Sequence, residues 1–368
     1  MRVMFSAEDH AFMARALALT ERGRDTSTPN PNAGCVLVKD GRIIGEGWHA
    51  RAGEPHAEIV ALANATESPR GSTVYVTLEP CAHQGRTGPC ADKLVDAGVS
   101  RVVAALRDPF PQVDGRGFER LRAAGITAQC GLMEAQAREV HRGFLSRVTR
   151  GRPWMRIKAA ASIDGRIAMA SGESRWITGE AARRDVHALR ARSCALLTGI
   201  GTVAHDDPQL TVRDVPCERQ PRRAVVDSRL DVSAHARVLF GGGTIVFTLS
   251  TDAARRAALE PAGAEIVVVP HAADKPGKAD LAALARMLAE RGFNEVTVET
   301  GAKLNGSLIA AGVVDEIVLY VAPRILGDAA QGLFAIPGLE KLKDAIPVRI
   351  AEARSIGEDL RLTLRLGS

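Results

Sequence analysis

Three short stretches in the first hundred positions place side chains whose chemistry belongs together. His56-Ala57-Glu58 stands where a helix should open, Cys81 follows the strand-like residues 73–78, and Cys90 stands at the start of another helical stretch. One imidazole and two thiolates make a three-ligand site for a borderline-soft ion such as Zn²⁺, and three ligands rather than four leave a position for water. An open position points to catalysis, because water on such a metal ionises near neutral pH. Glu58 can reach that water without joining the metal and can carry its proton to a departing amine. Helix starts at both ligand segments favour thiolate over thiol. Taken singly, such residues are usually core cysteines and loop histidines; taken together, at a strand exit and two helix starts, they point to a hydrolytic metal site.

The second half carries a weaker pair of signals. Gly199-Ile-Gly201-Thr-Val-Ala204 follows a strand and fits a Gly-x-Gly-x-x-Ala dinucleotide pattern, which elsewhere often marks only a tight turn. Glu299-Thr-Gly301-Ala-Lys-Leu-Asn-Gly-Ser307 reads as a strand running into a glycine-bearing helix start, where backbone N–H groups and the helix dipole suit a pyrophosphate.

The elements that must position these residues follow from periodicity. Residues 6–22 predict an amphipathic helix with Ser6 as N-cap and Asp9 three residues on, and the two prolines of Thr28-Pro-Asn-Pro-Asn32 require a loop. Residues 34–38 and 43–48 predict a hairpin. Helices and strands then alternate: helices near 56–63, 89–97, 118–124 and 133–144, strands at 73–78 and 101–106. Residues 149–153 read as a linker. A second alternation follows, with strands near 156–160, 194–198, 223–226, 244–248, 265–269, 295–299 and 315–321, and helices near 180–192, 279–291 and 303–311.

At 368 residues, with 46% hydrophobic and 25% charged residues, the chain predicts two folded domains. A formal charge of +5 with only 4% aromatics and scattered arginines suits small anionic ligands better than a polynucleotide. Glu8, Asp9 and His10 interrupt any export signal, and no stretch reaches about 18 apolar residues, so a cytoplasmic protein without a membrane span is expected. Six dispersed cysteines point to reduced thiols rather than a disulfide framework.

Eight residues separate Cys81 from Cys90 where two are usual, an insert expected to line one side of the pocket. TLEPCAHQGRTGPC, preceded by PNPNAGCVLVKDGRIIGEGWHARAGEPHAE, closely resembles the deaminase half of the bifunctional riboflavin-biosynthesis deaminase/reductases. The likeness runs on through DPFPQVDGRG and KAAASIDGRIAMASGESRWITG and covers nearly the whole chain. It implies an α/β chain: a cytidine-deaminase-like three-layer domain over 1–148, then a dihydrofolate-reductase-like α/β domain over 149–368. It implies hydrolytic deamination of a small phosphorylated diaminopyrimidinone, followed by reduction of its ribosyl group to ribityl with NADPH.

By the same resemblance, Asn30 and His83 hold the pyrimidine. NADPH meets Ala160, Trp176, Thr202, Asp206 and the run Gly301, Ala302, Lys303, Leu304, Asn305, Gly306 and Ser307. The ribose phosphate meets Ser174, Arg190, Leu210 and Arg213, with Glu299 beside the sugar, and Lys158 and Asp206 handle protons. A homo-oligomer, dimer or tetramer, is expected. Ala33 and Phe110 depart from the family's usual residues and leave the metal ligands untouched. Two rivals are a deaminase acting on a nucleic-acid base and a non-catalytic zinc module.

Overall fold

The computed structural model describes residues 4–83 and 88–367. The chain divides into two compact units, Met1–Gly151 and Arg152–Ser368.

The first unit is a five-stranded sheet between two helical layers. Its strands are β1 (Gly34–Lys39), β2 (Arg42–Trp48), β3 (Thr73–Val76), β4 (Arg101–Ala104) and β5 (Thr127–Cys130), in the order β2-β1-β3-β4-β5. β1 is antiparallel to β2 and β3, whereas β3, β4 and β5 run parallel. The helices are α1 (Ala7–Leu19), α2 (Ala57–Ala63), α3 (Cys90–Asp96), α4 (Arg116–Ala123), α5 (Glu134–Val140) and α6 (Arg142–Arg150). Alternation along each strand feeds two cores. Cys35, Leu37, Val74, Val76, Val102 and Ala104 pack under α2, α3 and α4, while Val36, Val38, Tyr75 and Val103 pack against α1 and the α5–α6 pair. This is the period of two that fixes which face a strand residue serves.

Local signals explain most boundaries. Ser6 and Asp9 form a reciprocal capping box that starts α1. The single helix expected over 133–144 is two, broken at His141, whose backbone leaves the helical region. Thr149 and Arg150 belong to the last turn of α6, which Gly151 ends in a left-handed conformation with φ 65°, so the expected linker begins later than its composition suggested.

The second unit is built on a nine-stranded sheet. Its elements are β6 (Trp154–Ser162), β7 (Arg166–Ala168), α7 (Glu180–Ala191), β8 (Ala195–Gly199), α8 (Ile200–Asp206), β9 (Arg222–Val226), β10 (Thr244–Thr248), α9 (Ala253–Leu259), β11 (Ala264–Val268), β12 (His271–Ala272), β13 (Lys275–Ala279), α10 (Leu281–Glu290), β14 (Glu295–Val298), α11 (Ala302–Ala310), β15 (Glu316–Ala322), β16 (Gln331–Gly332), β17 (Val348–Ile356) and β18 (Asp359–Leu366). The large sheet has the order β11-β10-β9-β8-β14-β6-β15-β18-β17, and β12–β13 and β16–β7 form small separate pairs. Its pairs are parallel from β11 to β15 and antiparallel at β18 and β17. After β8 the chain moves outward to β11; after β14 it crosses to β15 on the other side. The carboxyl ends of β8 and β14 therefore flank the point where strand order reverses, the crevice in which open α/β sheets take ligands.

Candidate functional site

In the first unit, three separate segments converge. His56 is the N-cap of α2, Cys81 lies beyond the end of β3, and Cys90 is the first residue of α3. The Nδ1 of His56 lies 3.6 Å from the Cys81 Sγ and 3.3 Å from the Cys90 Sγ. Among the described residues these side chains form a set whose ligand atoms all lie within 4.8 Å of one another. A tetrahedral ion with bonds of about 2.0 Å to nitrogen and about 2.3 Å to sulfur would separate a nitrogen and a sulfur by about 3.5 Å. The donor set and its spacing fit zinc.

Electrostatics agree. The hydrogen bond from Cys90, with help from His56, overcomes burial and lowers the Cys81 thiol to about 4, while the Cys90 thiol moves upward. The hydrogen bond with Cys81 raises His56 against its burial. Glu58 is buried in the first turn of α2, within hydrogen-bonding reach of Cys90, and burial pushes its carboxyl up to about 7. A carboxyl poised near neutrality both takes and gives a proton readily.

Asn30 is drawn toward this centre through a residue that sequence reasoning missed. Its Nδ2 lies 3.0 Å from the Nε2 of His49, and the His49 ring meets the His56 ring edge-on at 5.2 Å between centroids. His49 Nδ1 lies 3.1 Å from the Pro55 carbonyl, an acceptor, so Nδ1 carries the proton and Nε2 accepts from Asn30. Burial lowers the pKa of His49, keeping the ring neutral. The one available signal was a histidine directly after β2.

His83 lies two residues beyond Cys81. Its half-buried ring lies 5.8 Å from that of Phe110, and its Nδ1 is buried with no hydrogen-bond partner among the described residues. Asp108, also missed, is buried, and burial pushes its carboxyl up to about 7. The expectation that the insert lines the pocket falls partly on residues 84–87, outside those described.

In the second unit the carboxyl ends of β6, β8 and β14 gather the polar residues. Glu299 follows β14 and is buried; its two carboxylate oxygens accept from Arg190 Nε at 2.6 Å and Nη2 at 2.9 Å. Lys158 Nζ, from β6, lies 3.8 Å from the same carboxylate. Burial pushes Glu299 up, but Arg190, Lys158 and His187 outweigh it and hold the group at about 2. Burial lowers Lys158, with Glu299 and Asp206 pulling the other way.

The remaining expected residues divide by what they can offer a ligand. Thr202 Oγ1, in α8, lies 3.5 Å from Thr300 Oγ1, so α8 and the start of α11 meet across the strand reversal. The Asp206 carbonyl accepts from Arg175. Trp176 is 63% exposed, with the Arg183 guanidinium 4.8 Å from its ring centroid, and Ser174 and Ala160 are partly buried. The Arg213 backbone N–H donates to His187 Nδ1, and its guanidinium donates to Thr211 Oγ1.

Within 301–307 only the first turn is open to an anion. Gly301 is the N-cap of α11, and the N–H groups of Ala302, Lys303 and Leu304 precede the helical ladder, which starts with Asn305 N–H donating to Gly301 O. Asn305 and Gly306 are buried, and a Cβ on Gly306 would lie 2.1 Å from the Ala335 carbonyl. Ser307 returns its hydroxyl to Lys303 O. Leu210 buries its side chain in the apolar cluster with Leu196, Val203 and Val225 and holds φ at 50°, so it has only backbone to present. The glycine pattern at 199–204 resolves similarly: Gly199 packs closely on Leu304 and Thr300, while Gly201 has open space where a Cβ would lie.

Comparison with known proteins finds a zinc-binding deaminase domain followed by a reductase domain. Residues 6–106 match the cytidine and deoxycytidylate deaminase zinc-binding region, and residues 153–362 match the RibD C-terminal domain. The chain is 48% identical over 369 residues to the riboflavin biosynthesis protein RibD of Escherichia coli, covering 97% of this chain and 99% of that protein. Among solved structures, Acinetobacter baumannii RibD superposes with a TM-score of 0.89 at 39% identity over 98% of this chain and 99% of that one. The Thermotoga maritima diaminohydroxyphosphoribosylaminopyrimidine deaminase/5-amino-6-(5-phosphoribosylamino)uracil reductase gives 0.88 at 33%, with the same coverage. The two folds are thus the expected ones, cytidine-deaminase-like and then dihydrofolate-reductase-like. With both halves accounted for over nearly their full length, the chain belongs to the RibD family of bifunctional riboflavin-biosynthesis deaminase/reductases.

Proposed function

We propose that residues 1–148 deaminate 2,5-diamino-6-ribosylamino-4(3H)-pyrimidinone 5′-phosphate and that residues 149–368 reduce the ribosyl group of the product to ribityl with NADPH. The observation that carries this reading is the convergence of His56, Cys81 and Cys90 on one point with the Glu58 carboxyl beside it. Zinc bound there supplies the Lewis acidity that makes hydroxide available from water at neutral pH. Glu58 would pass one proton from the attacking water to the ring nitrogen, and would then move the second, from the hydroxyl added to the ring carbon, to the amine that leaves as ammonia. Asn30, held by His49, and the His83 Nδ1, buried with no partner among the described residues, hold the pyrimidine in place.

In the reductase half, the N–H groups of Ala302 to Leu304 receive the pyrophosphate of NADPH, and Thr202, Asp206, Trp176 and Ala160 border the cofactor. Arg213 and Ser174 take the substrate phosphate, with the backbone of Leu210 and the remaining hydrogens of the Arg190 terminal nitrogens. Glu299 stays ionised beside the sugar and opposes the burial that lowers Lys158, and so tunes the proton available there. The transfer itself depends on holding nicotinamide and opened sugar face to face.

β17 is exposed along nearly its full length, with Ile350 62% exposed, an edge that supports pairing into a homo-oligomer. The chain has six free cysteines, and no described helix is long and apolar enough to cross a membrane; both suit chemistry in the cytoplasm.

The test is product analysis with the diaminopyrimidinone phosphate, with and without NADPH, before and after zinc removal by chelation. Ammonia release that needs zinc but not NADPH, and NADPH oxidation on the deaminated compound that survives chelation, are the expected results. Loss of both activities on chelation would refute two separate centres, and tight, salt-sensitive RNA binding would favour a nucleic-acid substrate.

A further inference from the structure

Glu79 lies two residues before Cys81, 3% exposed, and its carboxylate is spent entirely on backbone. Oε2 accepts from the N–H groups of Asp108 at 3.2 Å and Gly115 at 3.0 Å; Oε1 accepts from Gly117 at 3.0 Å and Phe118 at 3.3 Å. Its own N–H donates to the Leu106 carbonyl. One side chain therefore ties the β3 exit to the loop carrying Asp108 and Phe110 and to the first turn of α4. The fit is close: a Cβ on Gly117 would lie 2.1 Å from the Pro80 carbonyl, and the Cys81 carbonyl is pinned on its far side by the Ala91 N–H at 3.1 Å. A buried anion saturated by donors from another loop is costly to replace, since any substitute that donates meets N–H groups head-on.

We propose that Glu79 is the positioning residue of the deaminase centre: it fixes where the Cys81 sulfur points and, through the same carboxylate, where the Asp108–Phe110 wall stands against His83. The inference rests on the zinc reading above. Glu79→Gln replaces one acceptor oxygen by a donor and so breaks both connections at one end.

The experiment uses the full chain loaded with zinc or with Co²⁺. Glu79→Gln should release zinc to a chelator about 10- to 100-fold more readily, the scale seen when groups that orient metal ligands are lost. It should also shift the cobalt–thiolate absorption and lower kcat for deamination more than it changes KM, with NADPH oxidation on the deaminated substrate intact. Leu121→Ala, which removes a fully buried side chain from α4 in the same core, should lower the melting temperature while leaving cobalt spectrum and zinc retention unchanged. Should Glu79→Gln fail to accumulate, Gly117→Ala presses on Pro80 from the other side and should give the same spectral shift. Wild-type spectrum and zinc retention in the folded variant, or equal changes in Leu121→Ala, overturn the proposal. A wild-type protein whose cobalt spectrum shows no thiolate bands would instead refute the zinc reading itself.

Discussion

Replacing Glu299 by Gln should be a costly change in the reductase half that leaves shape untouched. The carboxylate is buried and grips Arg190 by two hydrogen bonds while lying near Lys158. Held at about 2 rather than its ordinary 4.5, it favours the folded state by about 3 kcal/mol at neutral pH. Because the folded value is the lower one, that stability is complete above pH 4.5 and disappears as pH falls through about 2. Removing one partner of a buried pair costs about 3 to 5 kcal/mol, since the other charge stays behind unmatched. The two routes agree on about 3 to 4 kcal/mol.

Hydrogen exchange of the β6, β8 and β14 amides reads this without requiring the whole chain to unfold in one step. Glu299→Gln should lower the protection of those strands by that amount, while Glu299→Gln with Arg190→Met should lose less than the sum of the two single changes. Lys158, deprived of its anion, should titrate lower, carrying the basic limb of the reduction profile toward neutral pH. A loss below about 1 kcal/mol, or strict additivity in the double variant, would refute the account of this pair.

Two further expectations concern the first unit. Glu58→Gln should keep its zinc, measured by metal analysis, and keep NADPH oxidation on the deaminated substrate, yet lose deamination by about 10²- to 10⁴-fold, the usual worth of a proton carrier; unchanged ammonia release would point to a non-catalytic zinc module. His141 is fully buried on the Thr77 hydroxyl, and burial lowers it to about 4 from 6.5. Its contribution is therefore complete above pH 6.5 and falls by about 3 kcal/mol as pH drops toward 4. The melting temperature of His141→Gln should decline less steeply over that window than that of the wild type, and parallel declines would count against the assignment.

How much of this was legible depends on how far apart the partners lie in sequence. His56, Glu58, Cys81 and Cys90 could be read because each residue type has few uses in that setting and each stands at the edge of a recognisable element. His49 could not, because nothing local says that its ring turns toward His56 rather than outward. The Arg190–Glu299 pair joins residues on different elements, and a single sequence holds no record of which charges meet. The run 301–307 was legible as a phosphate-type turn, but its division into open first-turn amides and buried Asn305 and Gly306 appears only once Ala335 is seen against the helix. The strand β5 escaped because Thr127–Cys130 offers neither an apolar run nor clean alternation. The pair β17–β18 differs: the leucines at 360, 362, 364 and 366 do alternate, but the partner strand β17 is exposed along nearly its whole length and offers no buried face to mark it.

The reversal of strand order has a consequence for how the enzyme is made. Thr198 at the end of β8 donates to the Glu299 carbonyl at the end of β14, and those neighbours are separated by a hundred intervening positions. During synthesis the first unit emerges ahead of the second, whereas the junction of β8, β14 and β6 cannot close until β14 has left the ribosome. A nascent chain stalled before residue 295 should therefore lack the crevice proposed for the dinucleotide, and stalled chains should not be retained on immobilised NADPH.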